Sequence, residues 1–428
     1  MPAAAPPNPA APAPDTTPPA APPPAVPPLA IVGLALAATA SGVSLRVCDA
    51  LLPRLAHDFD VSLGQASQVI TAFAVAYGLS QLVFGPLGDR FGKYRVIGWA
   101  CAASAVTSLL CALAPGFGAL MAARLAAGAS AAAIIPLSMA WIGDVVPFSR
   151  RQPVLARFLI GQITGFAIGV WAGGYAAEHL DWRAPFFGVA AFFALMALVL
   201  QVVRRRLPAA AVQPPAPGQG AALATMRREF GAVLSLPWAR VVVLTVAAEG
   251  AVVYGPFAFI AAHLHQRFGL PLSTVGALVM LFALGGLGFA LFAQPMVRRL
   301  GDVWLVRGGA VLMAGALLAI GLAPAWTWAL PACVLMGLGF YMLHNTLQTH
   351  ATQMAPERRG AAVATFASCF FLGQSAGVAL AGALVGPLGT QALMAIGAAG
   401  VLAVGWQFSR QRTRSAGAPA MAGARRPA

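Results

Sequence analysis

Twelve stretches of this chain are apolar for about the 20 residues that an α-helix needs to cross roughly 30 Å of hydrocarbon. They fall near residues 30–52, 65–84, 95–113, 118–140, 154–177, 186–203, 240–262, 275–294, 303–323, 328–350, 361–386 and 390–408. A chain of 428 residues that is 59% hydrophobic and 9% charged has too little polar surface for a soluble globule of its size. The expected fold class is an all-α integral membrane protein with 12 transmembrane helices in a lipid bilayer.

The net charge of +15 does not describe a nucleic-acid surface, because the basic residues sit in short connections between apolar runs and there orient helices in a membrane. With a cytoplasmic N-terminus, the outer loops hold only Arg54, Arg183 and Arg267, and Arg46 and Arg124 lie inside apolar runs. Every other arginine, and the single lysine Lys93, then falls on the inner side, so both termini are expected in the cytoplasm. Arginine used almost to the exclusion of lysine points to a GC-rich bacterial genome, and hence to the bacterial inner membrane. Cys48, Cys101, Cys111, Cys333 and Cys369 all fall inside apolar runs without metal or disulfide spacing. No metal and no cofactor is expected.

The chain also repeats itself. Residues 85–93 (GPLGDRFGK) align with 294–302 (QPMVRRLGD), and 159–165 (LIGQITG) with 371–377 (FLGQSAG). Two six-helix halves of parallel topology follow, with a cavity expected between them. The halves are placed at 29–206 and 239–408, joined by a cytoplasmic linker at 207–238. Within the linker the segment from Leu223 to Leu236 is either a short amphipathic helix on the membrane surface or a flexible connector. Residues 1–28, almost all Pro and Ala, and the basic residues 409–428 are expected to be disordered tails.

Between the second and third runs lies Gly85, Pro86, Leu87, Gly88, Asp89, Arg90, Phe91, Gly92, Lys93, Tyr94, Arg95. Gly88 and Gly92 allow a tight turn, and Asp89 is suited to face the N-terminus of another helix, whose unpaired N–H groups favour an anion. The stretch resembles the G-x-L-x-D-R-x-G-R/K-R/K signature of the major facilitator superfamily of secondary transporters, with Pro86 and Tyr94 as the irregularities. That resemblance implies two halves packed around a central cavity, alternating access, and a gate at this loop. Asp144 precedes Arg150 and Arg151 as in the corresponding superfamily loop, so Asp89, Arg95 and Asp144 are expected to form an inner gate network.

Ionisable residues inside hydrocarbon are costly and are functional candidates by default. Arg46 and Asp49 lie one turn apart near the outer end of the first run, and Arg124 lies at similar depth in the fourth. They form either a coupling cluster, with Arg124 paired to Asp49, or a fixed ion pair between helices. Arg124 to Gly128 resembles the superfamily's R-x-x-Q-G motif, whose arginine is implicated in proton coupling in drug-efflux members; Ala127 stands where that motif has glutamine. Glu249 stands alone in the seventh run, one turn before Tyr254, as a proton carrier or a permanently neutral hydrogen-bonding group. His344, Asn345 and Gln348 place polar atoms on the tenth run, to line a cavity or to hold helices together. Gln162 and Gln374, at matching places in the two halves, are cavity or packing groups. Gly161, Gly165, Gly169, Gly173 and Gly174 permit close helix packing, and Gly169 to Gly174 also resembles the antiporter signature G-P-x-x-G-G, with Val170 in place of proline.

The stretch from His344 to Gly377, with Pro356, Arg358, Arg359 and Gly360, resembles bacterial sugar-efflux and drug:proton antiporters. The resemblance implies a monomeric secondary transporter, not an enzyme, that exports a small organic molecule in exchange for protons. The alternative is proton-coupled import of a small organic anion, since Arg46 and Arg124 outnumber Asp49. No Walker A motif is present to support ATP-driven transport.

Overall fold

The computed structural model describes residues 27–208, 211 and 222–417, and every regular element among them is helical. Residues 1–26 of the tail expected over 1–28, most of the Pro/Gly-rich linker stretch and the part of the C-terminal tail beyond residue 417 lie outside the described residues, while Pro28 already begins the first helix. Among the described residues, ten spans are long and apolar enough to cross a membrane: α1 Pro28–Arg46, α2 Leu63–Phe91, α3 Lys93–Ala112, α4 Phe117–Val145, α5 Arg150–His179, α6 Ala184–Arg204, α7 Pro237–Phe268, α8 Leu272–Leu322, α9 Trp326–Gln353 and α10 Pro356–Arg414. The twelve apolar runs map onto these ten because α8 and α10, at 51 and 59 residues, each carry two runs. α8 breaks at Gly301 (φ 66°, ψ 173°) and α10 at Gly389 (φ 77°, ψ 165°). That left-handed backbone is open to glycine without a Cβ penalty. Helix continues through Gly417, past residue 408 where the second half was expected to end.

Each half is built on the same close contact. Cβ atoms at Gly161, Gly165, Gly169 and Gly173 of α5 would lie 2.7, 2.3, 2.8 and 2.1 Å from the carbonyl oxygens of Ala35, Thr39, Val43 and Val47 on the α1 side. Four glycines spaced by four thus mesh with four carbonyls spaced by four, a contact that any larger side chain would break. Thr39 reinforces it, its Oγ1 donating to the Gly161 carbonyl at 2.9 Å. In the second half Cβ atoms at Gly373 and Gly377 of α10 would lie 2.0 and 2.2 Å from the carbonyls of Ala247 and Ala251 in α7. The same step of 212 residues relates Gly161 to Gly373 and Ala35 to Ala247, so the sequence repeat is a structural one.

The halves meet along the face opposite the basic loops. There Gly64 packs on the Gly382 carbonyl and Gly174 on the Leu272 carbonyl. Nearer the middle, Tyr77 of α2 meets Phe371 of α10 with ring centroids 4.4 Å apart, and Ser375 donates to the Thr71 carbonyl at 3.3 Å. Towards the basic face the halves diverge. The segment following the linker is helical over Ala222–Ser235, and its Glu229 pairs with Arg358 of α10 at 2.9 Å. Of the two readings of this segment, helix is therefore the one observed.

Candidate functional site

A cavity of about 2270 Å³ opens between the halves and runs from the basic loops to Arg46 and Tyr254 near the middle of the molecule. Gln162, Tyr254, His344, Asn345 and Gln348 line it, as does Arg46. Gln374 does not: it is fully buried where α10 packs on α7, and both its amide atoms lack a hydrogen-bond partner among the described residues. The repeated glutamines therefore divide, Gln162 to the cavity and Gln374 to packing.

At the inner end, Arg46 is buried beneath the cavity rather than reaching the outer interface. Its Nη1 lies 3.6 Å from Asp49 Oδ2, an ion contact too long for a hydrogen bond. The guanidinium stacks 4.1 Å over the Tyr254 ring, so a cation from the first half rests on an aromatic of the second. Arg124 departs from expectation. Its Nε and Nη1 donate to the carbonyls of Val69 (3.3 Å) and Ser44 (3.0 Å), and it stacks 4.2 Å over Phe73. Those carbonyls lie within its reach, and Arg46 holds Asp49, so no direct Arg124 to Asp49 pair forms. Arg124 ties α4 to the α1 and α2 backbones.

Glu249 is not alone. It is 1% exposed, and its Oε2 lies 2.9 Å from Nδ1 of His344 in α9, while Oε1 has no partner among the described residues. His344 forms part of the cavity wall, enclosed by Phe340 (5.0 Å, stacked), Phe370 (4.6 Å) and Phe366 (5.5 Å). The carboxyl thus sits behind an imidazole that faces the cavity. One heteroatom contact separates the buried acid from the cavity. The aromatic enclosure was not anticipated from sequence, although Phe340 with His344, and Phe366 with Phe370, are at the i, i+4 spacing that puts side chains on one helix face.

At the basic end, Gly92 takes φ 88°, a conformation that suits glycine, and its counterpart by the repeat, Gly301, takes φ 66°. The gate network differs from expectation in its cation. Lys93 Nζ reaches Asp144 at 2.7 Å and Asp89 at 3.3 Å, whereas Arg95 stacks on Trp99 at 4.8 Å. α3 begins at Lys93, and as a helix it places residues two apart on different faces, so Lys93 and Arg95 cannot both turn to Asp144. Asp89 contacts no helix N-terminus here; its side chain is 66% exposed at the cavity mouth. Gly88 packs against Leu137 of α4, Gly85 has open space around it, and Arg90 stacks on its neighbour Phe91 at 5.1 Å. The cavity is thus open beside Asp89, and the halves are closed on the opposite face.

Two helical halves related by an internal repeat, enclosing one membrane-embedded cavity with ionisable groups at its end, are the build of a secondary transporter. The chain belongs to the Major Facilitator Superfamily, whose sequence profile matches residues 34–378. It is 26% identical over 350 residues to the uncharacterized MFS-type transporter YceJ of Bacillus subtilis, covering 80% of this chain and 86% of that one. It is 28% identical to the puromycin resistance protein pur8 of Streptomyces alboniger, over 78% of this chain and 77% of its relative. Among solved structures, that of the POT family transporter PepTSo superposes with a TM-score of 0.73 at 15% identity, covering 91% and 99% of the two chains. That likeness concerns the fold.

Proposed function

We propose that the protein exports a small organic molecule from the bacterial cytoplasm by proton antiport, acting as a monomer with both termini cytoplasmic. The observation that carries this is the Glu249–His344 contact at 2.9 Å, with the carboxyl buried and the imidazole on the cavity wall. A charge near the bilayer midplane costs on the order of 3 kcal/mol by insertion scales, and a glutamine would supply most of the same hydrogen bonds without that cost. An ionisable pair is worth retaining there when its protonation changes through the cycle.

In the cytoplasm-facing state, water in the cavity reaches His344, and Glu249 releases its proton through the imidazole. Substrate binds in this deprotonated state, in which the cavity is open to the cytoplasm. In the outward-facing state, proton entry restores neutral Glu249 as substrate leaves. Export, rather than import, is supported by the kinship to a puromycin resistance protein. The cytoplasmic placement of the cavity mouth rests on the basic loops that surround it.

Proteoliposomes carrying an interior pH dye test this with a panel of aromatic small molecules that includes puromycin. The native protein is expected to couple uphill substrate movement to proton movement. Glu249→Gln should lose uphill export while keeping substrate exchange, because the neutral isostere mimics one protonation state. A Glu249→Gln protein that still concentrates a substrate as the native one does would overturn the proposal.

A further inference from the structure

The inner end of the cavity offers one formal charge to a ligand, and it is positive. The acidic residues of the cavity wall, Asp89, Asp144, Glu229 and Glu357, belong to the loop ends and the linker helix at its mouth. The two deeper carboxylates, Asp49 and Glu249, are 2% and 1% exposed and do not line the cavity. Arg46 does line it, and Arg124, buried against the neighbouring Ser44 carbonyl, adds a second positive charge behind it.

The surface leading to Arg46 is a continuous aromatic strip. From Tyr77 it passes to Phe371 (4.4 Å), then Phe370 (5.2 Å), which touches both His344 (4.6 Å) and Tyr254 (5.7 Å). Tyr254 in turn carries the Arg46 guanidinium on its face at 4.1 Å. Stacked in this way, a guanidinium keeps its in-plane N–H groups for an acceptor, and one Nη of Arg46 already turns to Asp49. An aromatic strip ending at a guanidinium is complementary to a flat ring system that ends in an acid.

We infer that the transported compound is an aromatic organic anion, its rings on the strip and its acid group on Arg46. Aromatic walls also attract cations. Here, however, the Tyr254 face is taken by Arg46, and a ligand cation would meet a fixed like charge with no carboxylate lining the cavity at that depth. The inference rests on the export reading for the direction of transport only; what the cavity binds is a separate matter and is tested separately.

Binding of 2-naphthoate, 2-naphthamide and 2-naphthylmethylammonium to the purified native protein at pH 7 holds shape nearly constant while charge changes. Naphthoate is expected to bind at least about tenfold more tightly than either analogue, the scale of one charge-assisted hydrogen bond. Arg46→Gln should erase that preference and Arg46→Lys should keep part of it. The double variant Arg46→Gln/Asp49→Asn leaves no unpaired carboxylate from this pair, and so separates loss of a ligand contact from loss of folding. Preference for the ammonium, equal binding of all three, absence of naphthoate binding at millimolar concentration, or a folded double variant with an unchanged ranking each overturns the inference. If the anion preference holds and Glu249→Gln still exports uphill, the proton path fails and the substrate class stands.

Discussion

The proposed antiport gives His344 two tasks that chemistry can separate: to hydrogen-bond Glu249 and to relay its proton. Asparagine places its amide near the position of Nδ1, 2.9 Å from Glu249 Oε2 in the native protein, and has no titration of its own. His344→Asn is therefore expected to leave naphthoate affinity within about threefold of native, while proton movement coupled to export falls about tenfold or more. Pyranine-loaded proteoliposomes beside a binding titration make the comparison; equal loss of both would mark His344 as a packing residue. The sequence marks Glu249 and His344 as separate oddities, because each is a polar residue in an apolar run. It cannot pair them, since they lie 95 positions apart and the rotation of α7 against α9 decides whether they face each other. Arg46 and Asp49, by contrast, were legible as a pair because three residues of helix bring them together regardless of tertiary packing. For Arg124 the complementary limit applies: depth in the bilayer is visible in sequence, but the backbone carbonyls that accept from its guanidinium are not.

Helix length and the glycine periodicity carry information that survives without tertiary context, and so the elements were the most legible part of the chain. The α1 to α5 contact shows what that periodicity is for. A valine at Gly165 would drive its Cβ to within 2.3 Å of the Thr39 carbonyl oxygen, whereas a valine at Gly188 in α6 meets no atom within 4 Å of its Cβ. Gly165→Val is expected to destabilise the protein by about 1–3 kcal/mol, the usual cost of overpacking. Gly188→Val should stay within about 0.5 kcal/mol of native. Thermal unfolding of the two variants in the same detergent checks the difference, and equal melting would mean that α1 and α5 do not depend on the meshed contact. Positive φ at Gly92 and Gly301 shows how the loop repeat persists while its charges invert: Asp89 and Lys93 of the first half correspond to Arg298 and Asp302 of the second. In the second half Asp302 pairs with His350 at 3.2 Å and lies 3.6 Å from Arg412. The backbone turn was retained and the ion pairs were rebuilt around it.

At the scale of the whole molecule, transport requires the face that is closed here to open, and the contacts sealing it set how readily it does so. Gly64 and Gly174 meet backbone carbonyls there, contacts that cost little to form or to part. A polar contact joins them there: Glu178, at the end of α5, accepts a hydrogen bond from the Ser273 backbone N–H at 2.9 Å, so a carboxylate of the first half caps the start of α8 in the second. The unpaired N–H groups of a helix N-terminus favour a negative charge there. This contact spans the two halves on the closed face, so rotating the halves apart breaks it and its energy bears on one conformation only. Glu178→Gln retains an acceptor and removes the charge, and it should shift the balance towards the outward-open form by up to about fivefold. Spin labels at His57 and Leu388, both exposed, lie on this face in opposite halves and report the change as a larger long-distance fraction. The same variant should leave the anion preference of the cavity intact, because Glu178 does not line it. Unchanged distance distributions would mean that the apolar seams alone hold this face shut.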